Sequence, residues 1–197
     1  MGDRWPDLQR LESWAGEARV NLIRLVALVG FYGNHLLNMH VLGEDITADY
    51  HSTVTALTLT WSVSVVLLHF CVVRRWVPPS LKYVSTGWDL VMTTMLLAIS
   101  GGPKSPLAIL FFLVVAASAV RLSLGLVWAS TLASIAAWVI VLGYAKFYKP
   151  EMQIARHAQI IFALGLGAAG LLAGQVVRQA RRLARGYPVT VDDSEKT

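Results

Sequence analysis

The side chains best suited to chemistry in this chain are the histidines and acids that interrupt its long apolar runs. A polar side chain is costly inside a membrane, so we treat each of these as a functional candidate. Two histidines on different helices could ligate a haem iron, and a histidine beside a carboxylate could exchange protons with a quinone headgroup. We select His35 and His157 as candidate ligand-binding residues, with interfacial hydrogen bonding as the simpler alternative.

Two apolar runs near the middle of the chain are separated by six residues, Gly101-Gly102-Pro103-Lys104-Ser105-Pro106. Backbone groups that Gly and Pro leave free cannot face lipid, so this hairpin must lie at the membrane surface or line a cavity. We expect Gly101 and Gly102 to allow close backbone approach, and Pro106 to begin the next helix. Ser105 or a nearby histidine would hydrogen-bond a ligand carbonyl.

Asp89 is the acid that lies deepest in an apolar run. Arg74, Arg75 and Arg121 are expected at the membrane surface nearest to it, so a salt bridge could tie helix ends together there. We assign Asp89 and Arg121 to a structural ion pair. A proton relay through Asp89 is the alternative.

The last apolar run carries several glycines, among them Gly170 and Gly174, which are spaced as a small-xxx-small pair. Small residues at this spacing let two membrane helices approach closely. We expect the pair to pack within the molecule, and contact across a homodimer is the alternative.

Membrane helices must position these residues, because the composition is that of an integral membrane protein. Hydrophobic residues make up 55% of the chain and charged residues 15%, and the mean hydropathy is +0.55. The sequence has no phosphate loop, no zinc-ligand spacing on a helix and no nucleophile elbow. We therefore predict a non-enzymatic protein without catalytic residues or a metal site.

Apolar runs of roughly 17–25 residues are long enough to cross a bilayer as helices. Six such runs predict an all-α integral membrane protein with six transmembrane helices. They cover about residues 20–42, 53–73, 84–100, 106–121, 123–145 and 155–177. The third and fourth runs are short, and an even number of spans places both termini on one side.

The distribution of positive charge predicts which side that is. With the termini inside, 13 of the 17 Lys and Arg residues fall in inner segments. The remaining four, in outer segments, are Lys104, Lys146, Lys149 and Arg156. Cytoplasmic segments are enriched in Lys and Arg, so we expect cytoplasmic termini in a bacterial inner membrane. The net charge of +5 then reflects membrane orientation, and we expect no nucleic-acid partner.

The ends of the chain flank a transmembrane domain over residues 20–178. Residues 1–19 are expected to form a cytoplasmic helix that lies on the membrane surface or extends the first span. Residues 179–197 begin as a basic helix end, which is a stop-transfer anchor or a site for anionic lipid headgroups. A disordered tail is expected beyond it.

The segment from Asp89 to Leu107 resembles the membrane domain of redox-sensing histidine kinases of purple bacteria and their six-span relatives. Those domains carry a G-G-x-x-N-P-F motif between spans three and four, and the motif is tied to ubiquinone sensing. Gly101, Gly102 and Pro106 match it, whereas Ser105 stands in place of Asn and Leu107 in place of Phe. The resemblance implies a quinone site at the hairpin. We expect no kinase activity, because the chain stops at Thr197.

Two functions remain open. The first is a sensor-like domain that binds a quinone or another lipophilic ligand near the hairpin and acts through a partner, either another membrane protein or a second copy. The second is an accessory subunit of a larger respiratory or photosynthetic complex. Membrane lipids surround the protein in both cases, and haem is the alternative cofactor. A small transporter is disfavoured, because no inverted repeat is evident.

Overall fold

Six α-helices account for most of the computed structural model, which describes residues 5–41, 47–76 and 78–186, with side chains between 14 and 183. The helices are α1 (Trp5–His40), α2 (Ala48–Val73), α3 (Leu81–Ile99), α4 (Leu110–Val120), α5 (Leu124–Tyr148) and α6 (Arg156–Gly186). Short 3-10 turns lie at Gly102–Lys104, Pro106–Ile109 and Pro150–Met152. The predicted tail beyond Gly186 lies outside the described residues.

The helices confirm the prediction of an all-α membrane protein with six helical segments. Four stretches are long and apolar enough to cross a membrane: Trp14–His40, Ala48–Val73, Leu124–Tyr148 and Arg156–Leu183. The segment Pro106–Val120 is apolar but shorter. Long apolar side chains such as Leu67, Val139 and Leu172 are exposed, as expected of a surface that faces lipid. The protein is therefore a multi-pass membrane protein.

Helix α3 differs from the four long apolar helices because polar residues line its buried face. Ser85, Thr86, Asp89 and Thr93 are all buried, and α3 packs against α2, α4 and α5. A helix that its neighbours shield from lipid does not need a uniformly apolar sequence. This agrees with the absence of α3 from the four long apolar stretches.

Helix α1 is one continuous element from Trp5 to His40. The N-terminal helix expected within residues 1–19 is thus continuous with the first span from Trp5 onward, which was one of its two predicted arrangements. Trp14 lies on that extension, and its Nε1 donates a hydrogen bond of 2.7 Å to the backbone oxygen of Val72 near the end of α2. Trp14 therefore attaches this extension to α2.

The two ends of the bundle are distinguished by their connections. The hairpin Gly101–Pro106 lies at one end, called here the hairpin end, together with the α5–α6 connection. The turn at Arg121 lies at the other end, called the Arg121 end, where it contacts the beginning of α1 and the final turns of α6. The cytoplasmic location of the termini stays a prediction.

The core is centred on α5, which is the most buried of the four long apolar helices and packs against α3, α4 and α6. Trp138 of α5 is almost fully buried and stacks on Phe162 of α6 with ring centroids 4.0 Å apart. A second cluster joins α1, α2, α3 and α4 around Trp61 and Met92. The two clusters connect all six helices.

Gly170 and Gly174 of α6 face α5 and its N-terminal turn. A Cβ atom at Gly170 would lie 2.5 Å from Cγ2 and 2.9 Å from Cβ of Thr131, and one at Gly174 would lie 3.5 Å from Cδ1 of Leu124. Thr131 is itself 2% exposed and has no space to move away. The small residues therefore serve helix approach within one molecule.

Replacement of Gly170 by Ala should destabilise the bundle by about 1–3 kcal/mol, because the added methyl group overlaps Thr131. Gly167→Ala is the matched control, since a Cβ there meets nothing within 4 Å and Ala favours helix over Gly. The midpoint of SDS-induced unfolding in mixed micelles measures both. Equal midpoints for the two variants would contradict this account of Gly170.

Candidate functional site

The hairpin is a tight turn built on two glycines with left-handed backbone. Gly101 has φ 101° and Gly102 has φ 60°, a region that other residues adopt at a cost. Ser105 ends the first 3-10 turn and caps the second, since its Oγ accepts a hydrogen bond of 3.3 Å from the backbone N–H of Leu107. Pro106 occupies the first position of the second turn, where its missing N–H is not needed.

The hairpin packs against the 3-10 turn that connects α5 to α6. A Cβ atom at Gly102 would lie 3.3 Å from Sδ of Met152, so glycine permits this close approach. Lys104 extends across the same contact, and its Nζ donates a hydrogen bond of 2.6 Å to the backbone oxygen of Glu151. The connection before α6 therefore rests directly on the hairpin.

A cavity of about 410 Å³ lies beside this contact. One wall is apolar and comes from α5, with Val139, Leu142 and Gly143. Its rim is polar and contains Lys146, Gln153, Arg156 and Gln159. Pro103 is the hairpin residue that lines it. The cavity thus combines an apolar wall with hydrogen-bond donors, which suits a small amphipathic ligand.

The predicted ligand-binding residues are only partly brought together. Gly101, Gly102, Ser105 and Pro106 form the hairpin turn, but the cavity is lined by their neighbour Pro103. His157 is exposed in the first turn of α6, next to Arg156 of the cavity rim. The Ser105 hydroxyl oxygen accepts from the Leu107 N–H within the turn, which leaves its O–H free to donate. Its expected hydrogen bond to a ligand carbonyl stays a prediction.

His35 pairs with a second histidine, His51. Its Nε2 lies 3.0 Å from Nδ1 of His51, and the two rings stack with centroids 5.2 Å apart. Tyr32 and Tyr50 pack around the pair. The second apolar run was predicted to begin at about residue 53, but α2 already begins at Ala48, which places His51 on the helix opposite His35.

The histidine pair does not provide two axial ligands to a haem in this arrangement. Two imidazoles on opposite sides of a metal ion need nitrogen atoms about 4 Å apart, given metal–nitrogen distances near 2.0 Å. Here the facing ring nitrogens are 3.0 Å apart and bond each other. The residues present do not fit a haem between these helices.

A buried ion pair joins α1 to α3. The Nε of Arg24 donates to Oδ1 and Oδ2 of Asp89 at 2.9 and 2.7 Å, and its Nη2 donates to Oδ2 at 2.6 Å. The Nε1 of Trp61 adds a bond of 3.3 Å to Oδ1. Both charged side chains are nearly enclosed, with 5% and 11% exposed. The charge and the hydrogen-bonding capacity of Asp89 are thus satisfied within the membrane-spanning part of the bundle.

A second buried ion pair lies at the Arg121 end. Arg121 binds both carboxylate oxygens of Glu17, with contacts of 2.8 and 2.9 Å. The guanidinium also donates to the hydroxyls of Ser85 and Thr86 on α3. Arg121 therefore links α1, α3 and the α4–α5 turn in one polar network.

The predicted pairing of Asp89 with Arg121 is wrong. Both residues do belong to buried ion pairs, but Asp89 pairs with Arg24 and Arg121 pairs with Glu17. From the sequence, Arg24 was one of the 13 inner positive charges, and Glu17 belonged to the N-terminal helix of residues 1–19. The informative signal was the spacing of Glu17, Asn21 and Arg24, which places three polar residues on one face of α1.

The end of α6 is attached to the same turn. Nε and Nη2 of Arg181 donate hydrogen bonds of 2.9 and 2.6 Å to the backbone oxygen of Leu122. Leu122 has φ 50°, and this left-handed turn points its carbonyl towards α6. One helix thus extends from the cavity at the hairpin end to the polar network at the Arg121 end.

Comparison with known proteins places this arrangement in a family. A family model described as a PilS-like transmembrane domain, with six membrane spans, matches residues 12–183. The match includes both ion pairs, the hairpin and the cavity. No curated protein and no solved structure showed a significant match.

Replacement of Asp89 by Leu should destabilise the protein by about 3–5 kcal/mol, because Arg24 is left as an uncompensated charge in the bundle. The double variant Arg24→Met with Asp89→Leu should recover most of that loss, since neither member of this pair is then left as an unpaired buried charge. SDS-induced unfolding of the three proteins measures the difference. The interpretation fails if the double variant is as unstable as Asp89→Leu.

Proposed function

Because the chain belongs to the family of PilS-like transmembrane domains, we propose that it is a sensor-like membrane domain that binds a lipophilic ligand at the hairpin end. The ligand class that we propose is a quinone, and the protein acts through contact with a partner in the bacterial inner membrane. The observation that carries the proposal is the cavity of about 410 Å³ between the hairpin and the first turns of α6.

The chemistry of the cavity supports a quinone. A quinone headgroup is a flat apolar ring with two carbonyl oxygens that accept hydrogen bonds. The wall at Val139, Leu142 and Gly143 offers apolar contact, and Lys146 and Arg156 offer donors at the rim. The volume lies within the range of about 300–1,000 Å³ that is usual for small-molecule sites. The resemblance of the hairpin to the quinone-linked motif points to the same end of the bundle.

Helix α6 supports a role in transmitting binding. Arg156 and Gln159 in its first turns line the cavity, and Arg181 holds the turn at Leu122. These positions lie about 38 Å apart along the helix axis, at about 1.5 Å per residue. A ligand that shifts the start of α6 changes the position of the far end, where a partner protein or a second copy can contact it.

Replacement of Gly143 by Leu tests the cavity. A side chain at Gly143 enters open space, since a Cβ there meets nothing within 4 Å, so Leu should fill the cavity without disturbing packing. We expect the quinone content of the protein, purified in native membrane discs and normalised to lipid phosphate, to fall about tenfold, equivalent to about 1.4 kcal/mol of binding.

Gly167→Leu is the control for that experiment. Gly167 is also a half-buried helical glycine with open space at its Cβ, but it does not line the cavity. The control should keep the quinone content of the unmodified protein. Equal content in the Gly143→Leu protein, or no quinone above the lipid background in any sample, would overturn the proposal.

The alternative function is an accessory subunit of a respiratory or photosynthetic complex. Helix α2 favours it, because only Val54, Trp61, Val65 and Val72 are buried within this long helix. A subunit of this kind would place the open face of α2 against another protein. Native purification should then recover a large complex with stoichiometric partners, whereas a sensor domain should migrate alone or as a homodimer.

A further inference from the structure

Helix α2 ends in an arginine whose backbone conformation is usually adopted by glycine. The N–H of Arg75 bonds the backbone oxygen of Val72 at 3.0 Å, and the N–H of Trp76 bonds that of Cys71 at 2.9 Å. These two hydrogen bonds close the helix as a Schellman motif, in which the first residue past the cap is left-handed. Arg75 fills that position with φ 55°. A residue other than glycine is costly there, and such an outlier points to a role for its side chain.

Aromatic rings hold the side chains of Arg75 and its neighbour Arg74. The Cζ of Arg74 lies 4.4 Å from the ring centroid of Phe70, and the Cζ of Arg75 lies 6.0 Å from the ring centroid of Trp14 on α1. Both are cation–π contacts within the usual limit of about 6 Å. Phe70 is 54% exposed, so its ring faces lipid. Helix side chains lean towards the N-terminus, and Arg74 therefore reaches back from the helix end towards the hydrocarbon.

No carboxylate neutralises these two guanidinium groups among the residues whose side chains the structure describes. Both arginines are exposed, and the ion pairs in that part of the chain do not include them. Glu17 lies at the same end of the bundle but is bound by Arg121. Asp89 is bound by Arg24. The positive charge at the end of α2 thus lacks a counterion within the described residues.

The surroundings of this charge are those of a bilayer surface. Exposed apolar side chains such as Val66 and Leu67 cover α2 on the side towards its middle. Trp76 is exposed just beyond the two arginines, and tryptophan rings prefer the headgroup region. A phospholipid whose acyl chains lie along α2 therefore has its phosphate near the level of the two guanidinium groups.

We propose that the end of α2 binds the headgroup of an anionic phospholipid. A guanidinium can donate two parallel hydrogen bonds to phosphate oxygens, and the aromatic rings restrict Arg74 and Arg75 before the lipid arrives. A zwitterionic headgroup carries its own cation and leaves the two arginines uncompensated, so this surface selects lipids with net negative charge. A basic residue near a membrane surface contributes about 1 kcal/mol, which is about a fivefold change in the binding constant.

Bound lipid at this position would act on two helices. Arg75 belongs to α2, and the ring beneath it, Trp14, belongs to the first turns of α1 and bonds the backbone oxygen of Val72. An anionic headgroup on Arg75 therefore fastens the beginning of α1 against the end of α2. This surface is at the Arg121 end and is separate from the cavity at the hairpin end.

Native mass spectrometry of the whole protein measures the binding. The probes are phosphatidylglycerol, phosphatidylcholine with the same acyl chains, and inorganic phosphate. For the tightest binding event we expect phosphatidylglycerol to be preferred over phosphatidylcholine about twentyfold, as two basic residues predict. Inorganic phosphate, which has no chains to lie along α2, should bind far more weakly. Arg74→Gln should reduce the affinity for phosphatidylglycerol about fivefold and leave that for phosphatidylcholine unchanged.

Arg75→Gly separates lipid binding from folding. Glycine adopts φ 55° without strain, so the midpoint of SDS-induced unfolding should rise. The affinity for phosphatidylglycerol should nevertheless fall about fivefold, because one guanidinium is lost. Arg75→Lys should keep most of that affinity, because the charge remains.

The double variant Arg178→Gln with Arg182→Gln is the control. It removes two exposed arginines from α6 at the same end of the bundle and should retain the tight site. A loss in this control as large as in Arg74→Gln with Arg75→Gln would overturn the proposal, because diffuse charge would then explain the binding. Equal affinity of the unmodified protein for the two phospholipids, or equally tight binding of inorganic phosphate, would overturn it as well.

Discussion

Charge inside the hydrocarbon layer must be neutralised within the protein, and the position of α1 follows from this constraint. Glu17 and Arg24 lie on one face of α1 and find opposite charges on two different elements, the turn at Arg121 and the middle of α3. Asn21, between them, donates to the backbone oxygen of Val65 on α2. Buried pairs of this kind add little net stability compared with apolar packing, but a displaced member is severely penalised. They therefore select one arrangement of α1 among many that apolar packing alone would tolerate.

The hairpin end is organised by steric fit instead of charge. Left-handed glycines at the start of the hairpin bring its backbone against Met152, and the connection before α6 follows that surface. Space remains where α5 and α6 diverge, and this produces the cavity. Polar groups at the bundle's other end instead converge on the Arg121 turn. The two ends thus differ physically, with a cavity at one and a polar network at the other, and α6 extends between them.

Much of the architecture was predictable, because apolar run length and helix-breaking residues act locally. The six helices, the hairpin and the close packing at Gly170 follow from patterns within a few residues. Salt-bridge partners are not local, since Glu17 and Arg121 are far apart in the chain and meet only in the folded bundle. The count of positive charges used to predict membrane orientation also conceals the salt-bridge partners, because Arg24 contributes to that count although it is buried. The pairing of His35 with His51 escaped prediction for a simpler reason: α2 begins one turn before the apolar run does.

The order of charges on α1 has a consequence for how the bundle can move. Glu17 and Arg24 are seven residues apart, about 10 Å along the helix, and their partners carry the opposite order of signs. A slide of α1 by that distance towards the hairpin end would bring Glu17 opposite Asp89, and a slide the other way would bring Arg24 opposite Arg121. Either shift sets like charges against each other in a medium of low dielectric constant. The two ion pairs therefore oppose translation of α1 along its own axis. Tilting of α1 is the motion that they permit.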